Sequence, residues 1–130
     1  RLNSTIEEID NAYKQYKLNE AIKRVYDFTR ADFCDWYIEF AKTRFYGKNL
    51  DDRKVAQTVS VYVMRKILQL LHPYCPYITE ELWDSFKNSK EDLIISSSWP
   101  KKDISLINKN VENEIHILMN VGEFNFEKKI

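Results

Sequence analysis

The chain has 130 residues, with 20 Lys+Arg against 20 Asp+Glu and a formal net charge of +0. That length suits one domain, the 44% share of hydrophobic residues excludes a disordered tail, and the neutral balance excludes gripping nucleic acid by bulk charge, although not through a local basic face. Only 2 Gly and 3 Pro stand against 14% aromatic residues, too few turn formers for a β-sandwich or a dinucleotide-binding unit, so long helices are expected.

A first helix is predicted from Leu2 to Tyr16, because Leu2, Ile6, Ile9, Tyr13 and Tyr16 recur at spacings of four and three. Ser4 followed by Glu7 has the form of a capping box. Lys17-Leu18-Asn19 breaks the pattern, with Asn19 suited to N-cap the next helix. From Glu20 to Tyr46 nothing interrupts helix formation. Ile22, Val25, Phe28 or Thr29, Phe33, Trp36, Tyr37 and Phe40 form a broad apolar stripe there, and Gly47 is expected to supply the left-handed residue that ends it. A third helix is predicted from Asp52 to Leu71, with Val55, Val59, Tyr62, Val63, Ile67, Leu70 and Leu71 at helical spacing. His72-Pro73 stops it.

Pro76 and a capping Thr79 then open a short helix, Glu80 to Phe86. Leu93 to Pro100 is expected to be extended, and a last amphipathic helix, Asn108 to Val121, carries Val111, Ile115, Leu118 and Met119. Gly122 to Ile130 alternates Phe124 and Phe126, which is expected to begin a strand. The expected architecture is all-α: an antiparallel bundle of about four to five helices with a short extended C-terminal segment. A helical domain fills residues 1–121, and 122–130 form a tail that starts a further subdomain.

Recognisable catalytic chemistry is missing from these residues. The two glycines stand alone, so no phosphate-cradling loop exists. Cys34, Cys75, His72 and His116 have no metal-ligand spacing, and the cysteines read as buried thiols in a reducing cytosol rather than a disulfide. Ser96-Ser97-Ser98 has no histidine at a motif spacing, and His72 is placed to cap a helix end. No apolar run approaches the roughly 20 residues of a membrane span, and Arg1-Leu2-Asn3 does not resemble a signal peptide. A cytoplasmic chain is therefore expected, and its start without Met inside a helical pattern reads as a piece of a larger protein.

The second helix is the unusual element. It interleaves Phe33, Trp36, Tyr37, Phe40 and Phe45 with charged residues, and one helix face cannot hold so many rings. Either the helix is buried on two sides, or part of the aromatic area is a platform for unstacked RNA bases, with arginines on phosphates. Lys23 and Arg30, two turns apart, share a face, and Arg24, Lys42, Arg44 and Lys48 lie within reach. Glu20 with Arg24 and Asp27 with Arg30 stand at ion-pair spacing, and a solvated charged face explains the same residues.

Three strings in order carry a resemblance: YKLNEAIKRVYDFTRADFCDWYIEFAK (Tyr16 to Lys42), LLHPYCPYITEELW (Leu70 to Trp83) and SSWP (Ser97 to Pro100). Together they closely resemble the helical anticodon-binding domain of class I aminoacyl-tRNA synthetases of the valine, isoleucine and leucine group. The FCDWY string, Phe33 to Tyr37, points within that group to the valyl-tRNA synthetases. The resemblance implies a non-catalytic module of a valine–tRNA ligase. Its partners would be the anticodon region of tRNA(Val) and a catalytic core in the same chain, which acts as a monomer and uses ATP with magnesium. No cofactor belongs to this segment. The RNA-binding candidates are Lys23 and Arg30 on phosphate or base edges, with Phe33 and Trp36 stacking or supporting. An isoleucyl or leucyl enzyme and a helical protein-interaction module are the alternatives.

Overall fold

The computed structural model describes residues 1–86 and 93–126, with side chains as far as Val121. Helix α1 spans Leu2–Lys14 and α2 Leu18–Asp27; the rod continues without a break through a π-helical stretch, Phe28–Tyr37, into α3, Ile38–Phe45. Helix α4 is Leu50–Leu71, α5 Pro76–Trp83 and α6 Lys109–Phe126, with 3₁₀ turns at Ile94–Ser96 and Ile104–Leu106. No strand occurs among the described residues. The fold is the all-α bundle expected. Among the described residues no helix is long and apolar enough to cross a membrane.

Helix α4 is the centre of the bundle. Leu70 joins Ile6, Ile9 and Ala12 of α1 and Ala21 and Val25 of α2. Ile67 meets Phe28 and Phe33, while Leu68 packs on Trp83 and Ile94. Fully burying a side chain of this kind contributes about 1.5–3 kcal/mol, so three residues within one turn of α4 tie three clusters together. The buried part of α4 is thus Ala56, Ile67, Leu68, Gln69 and Leu70. Val55, Val59 and Tyr62, expected on it, are exposed; helical spacing defines a stripe, and here several apolar stripes were available on one β-branched helix.

The helix ends differ from expectation in instructive ways. Ser4 and Asn19 lie inside α1 and α2 and cap neither. Helix α1 ends instead in a Schellman motif, with Lys17 N–H donating to the Ala12 carbonyl (2.9 Å) and Tyr16 N–H to the Tyr13 carbonyl (3.0 Å). Tyr16 takes the left-handed conformation, φ 57°. Gly47 does not have a positive φ; its absent side chain matters because a Cβ there would stand 2.9 Å from the Thr43 carbonyl oxygen. Asn49 caps α4, its side chain accepting from Asp51 N–H (3.0 Å) and Asp52 N–H (3.2 Å).

Thr79 is no cap either. Pro76 is the first residue of α5, and the buried Thr79 hydroxyl donates back to the Cys75 carbonyl (2.8 Å) and meets His72 Nδ1 at 2.9 Å. Both cysteines are free, and Cys34 is exposed rather than buried. Helix α6 runs on through Gly122 to Phe126, where a strand was expected; residues 127–130 lie outside the described residues.

The segment after α5 is a strap rather than a plain extended run. It turns at Ile94–Ser96 and then crosses α1. Trp99 Nε1 donates to Asp10 (2.8 Å), its ring meets Tyr13 edge-on at 5.6 Å, and Asp103 N–H donates to Asn3 (2.8 Å). Gln69 Nε2 of α4 holds the same segment through Ser97 Oγ (2.9 Å) and the Ser98 carbonyl (3.1 Å).

Candidate nucleic-acid interface

The aromatic crowding of the second predicted helix is resolved by its backbone. A π-helix bonds residue i to i+5, which brings residues four or five apart onto one line. Phe28, Phe33 and Tyr37 have those spacings; Phe28 and Phe33 pack on Ile67, and the Phe33 and Tyr37 rings stack at 5.7 Å. Thr29, by donating its hydroxyl to the Val25 carbonyl at 2.7 Å, stands where the register changes. Tyr37 anchors the stretch to α4 by donating to the Ala56 carbonyl (3.3 Å).

Phe33 is therefore core, only 3% exposed. A ring so buried offers no face on which a base could stack. Trp36 is half-buried and tilted against Phe40, ring centroids 5.7 Å apart. The two rings, with Tyr37, line an apolar pocket closed by Ile115, Leu118 and Met119 of α6. Helix α6 is the second wall that the ring count demanded.

Lys23 and Arg30 are both exposed. Arg30 donates not to Asp27 but to the Tyr26 hydroxyl, at 3.3 Å. That hydrogen bond, with the Asp35 carboxylate adding to it, holds the guanidinium above its ordinary proton affinity. Arg24 likewise bypasses Glu20 for Glu8 of α1 (3.1 Å). Helical spacing of three and four puts Lys23, Tyr26 and Arg30 in one row, and Tyr26 is 56% exposed. This tyrosine was missed by reading the sequence. Its signal was present as a Tyr four residues before an Arg, outside the apolar stripe that drew attention. The row joins two exposed cations, one of them held by the tyrosine hydroxyl, to a ring more than half exposed, a combination able to grip a phosphate and stack a base. Trp36 does not belong to it: six residues beyond Arg30, it faces α6. Among the described residues no group of three or more metal-ligating side chains exists.

The chain belongs to the family described as the anticodon-binding domain of tRNA ligases, which matches residues 1–129. Its relatives include the valine–tRNA ligase of Thermotoga maritima, 42% identical over 121 residues and 93% of this chain. Those of Prochlorococcus marinus subsp. pastoris (35% over 122 residues, 93% of this chain) and Nostoc sp. (39% over 124 residues, 92% of this chain) are similar too. The chain spans 12–14% of the length of these curated relatives.

Proposed function

We propose that this chain is the tRNA-reading module of a valine–tRNA ligase, which joins valine to tRNA(Val) using ATP and magnesium in a catalytic core elsewhere in the same longer chain. The observation that carries this reading is the activity shared by the relatives named above, each aligned over at least 92% of these residues. The enzyme would act in the cytoplasm as a monomer, and this module would contribute recognition rather than bond-making.

Anticodon bases are read when they leave the loop stack and find rings and donors on a protein surface. On this chain Lys23 and Arg30 would take phosphates or base edges, and Tyr26 would offer the ring between them. Phe33 would support from beneath, holding the π-helical stretch on Ile67. Trp36, with part of its ring at the surface, would flank the row or simply seat α6.

Binding of the intact parent enzyme to tRNA(Val), and to the same tRNA with a scrambled anticodon, tests the reading. Equal affinity for the two would end it. Arg30→Ala is expected to weaken binding and to lower the slope of log K against log salt by about 1, one phosphate contact; an unchanged slope removes Arg30 from the interface.

A further inference from the structure

Where α4 meets the strap, a second groove is built from different residues. Tyr62 and Lys66 come from α4, and Trp99, Lys101 and Lys102 from the strap. Trp99 is 36% exposed, yet its ring is held from behind by the bond to Asp10 and the edge of Tyr13. Tyr62 is 43% exposed. A ring already fixed in place loses little side-chain freedom when something stacks on it.

The cations of this groove are unevenly satisfied. Lys102 pairs with Glu7 at 2.7 Å. Among the described residues Lys66 reaches only the neutral Gln69 Oε1, at 3.3 Å, and lies 5.7 Å from the Tyr62 ring centroid. Asp103, the acid lining the groove, accepts from Ser105 N–H (2.9 Å) and Ser105 Oγ (2.6 Å). Among the described residues no carboxylate stands within ion-pair distance of Lys66 or Lys101. Burial, with Arg65 beside it, pulls the Lys66 ammonium below the ordinary lysine range. A part-desolvated cation without a counter-ion is destabilising until an anion arrives. That amine and the exposed, unpaired Lys101, beside two exposed rings, fit a sugar–phosphate chain with a base attached better than an acidic peptide, which would leave the rings unused.

We propose that this groove binds one or two nucleotides of single-stranded RNA, a phosphate lying between Lys66 and Lys101 and a base stacking on Trp99 or Tyr62. The proposal rests on the reading of the chain as an RNA-binding module but not on the Lys23–Arg30 row.

Amine acetylation of the full-length parent protein, mapped residue by residue with and without RNA, tests it. The RNAs are tRNA(Val) and a short unstructured oligonucleotide. Lys66 and Lys101 are expected to react severalfold more slowly when either RNA is present, and the Lys66→Gln/Lys101→Gln variant to lose about 0.7 from the salt slope, the value for one single-strand phosphate. Unchanged reactivity of both lysines overturns the proposal even if Lys23 is protected, in which case the anticodon reading stands alone. Protection of Lys66 and Lys101 with Lys23 untouched upholds the groove and counts against the row. If both lysines are unreactive before RNA is added, a protein segment covers the groove and the proposal fails.

Discussion

Tyr13 carries the one buried side-chain oxygen that, among the described residues, has no hydrogen-bond partner. Its ring lies near Tyr74 (6.5 Å) and against Trp99, while the Tyr74 hydroxyl gives its proton to the Leu18 carbonyl at 3.1 Å. Burial first, then the nearby Tyr74 hydroxyl, pushes the Tyr13 phenol well above its ordinary value of 10.0. A phenol whose folded pKa is raised contributes stability that is fully present below the unfolded pKa and lost as pH climbs above it. Tyr13→Phe should therefore leave stability at pH 7 unchanged or raise it by about 1 kcal/mol, since an orphan hydroxyl is removed. It should also flatten the decline above pH 10. Urea melts at both pH values measure this, and a clear loss at pH 7 would mean the hydroxyl is satisfied. Tyr16 calls for the opposite reasoning. An exposed tyrosine in the left-handed region is strained, so Tyr16→Gly should raise the melting temperature, stabilising the fold by about 1 kcal/mol. Neither fact was legible beforehand. Left-handed helix ends are read from glycine, and here the glycine sits at another turn, where a close carbonyl rather than φ selects it.

At the scale of elements, the bundle was readable because polar breaks are few and fall where the helices end. Lys17, Gly47 to Asn49 and His72-Pro73 bound the first four helical segments within a few residues. What periodicity could not deliver was the change of period. A stripe read at 3.6 residues per turn predicts too many inward rings between Phe28 and Tyr37, and the π-helical register sorts them: Phe28 and Phe33 face α4, and Trp36 faces α6. Of the site candidates, Lys23 and Arg30 are exposed and share a row with Tyr26, while Phe33 is buried with Phe28 and Ile67 and Trp36 lies against α6. The N-cap of α4 is a separable test of element stability. Asn49→Ala removes acceptors for Asp51 and Asp52 N–H and should lower stability by about 1 kcal/mol, with Asn49→Asp close to neutral. Thermal melts of the three proteins decide it; an unaffected Ala variant would mean water replaces the cap without loss.

For the whole molecule, stability is distributed unevenly. Helix α4 carries Ile67, Leu68 and Leu70 into separate clusters, while α6 touches the bundle through a few side chains and keeps Ile117, Leu118 and Val121 more than half exposed. Hydrogen exchange should find the amides of α6 opening well before those of Ile67 to Leu70; equal protection would show that α6 is as firmly seated as the core. Net neutrality, which excluded bulk electrostatic binding, is a sum that hides arrangement. Glu7, Glu8 and Asp32 engage Lys102, Arg24 and Arg1, while among the described residues Lys23, Arg30, Lys66 and Lys101 have no carboxylate at ion-pair distance. The strap adds a consequence in time. Asp10 waits for Trp99 and Asn3 for Asp103, partners 89 and 100 residues further along the chain. At about 5–20 residues per second of synthesis, α1 spends on the order of 10 s outside the ribosome before its cover is made. A helix left open for that interval is closed only once the strap, 89 and 100 residues further along, has been made, so the beginning of this domain is sealed late in its own synthesis.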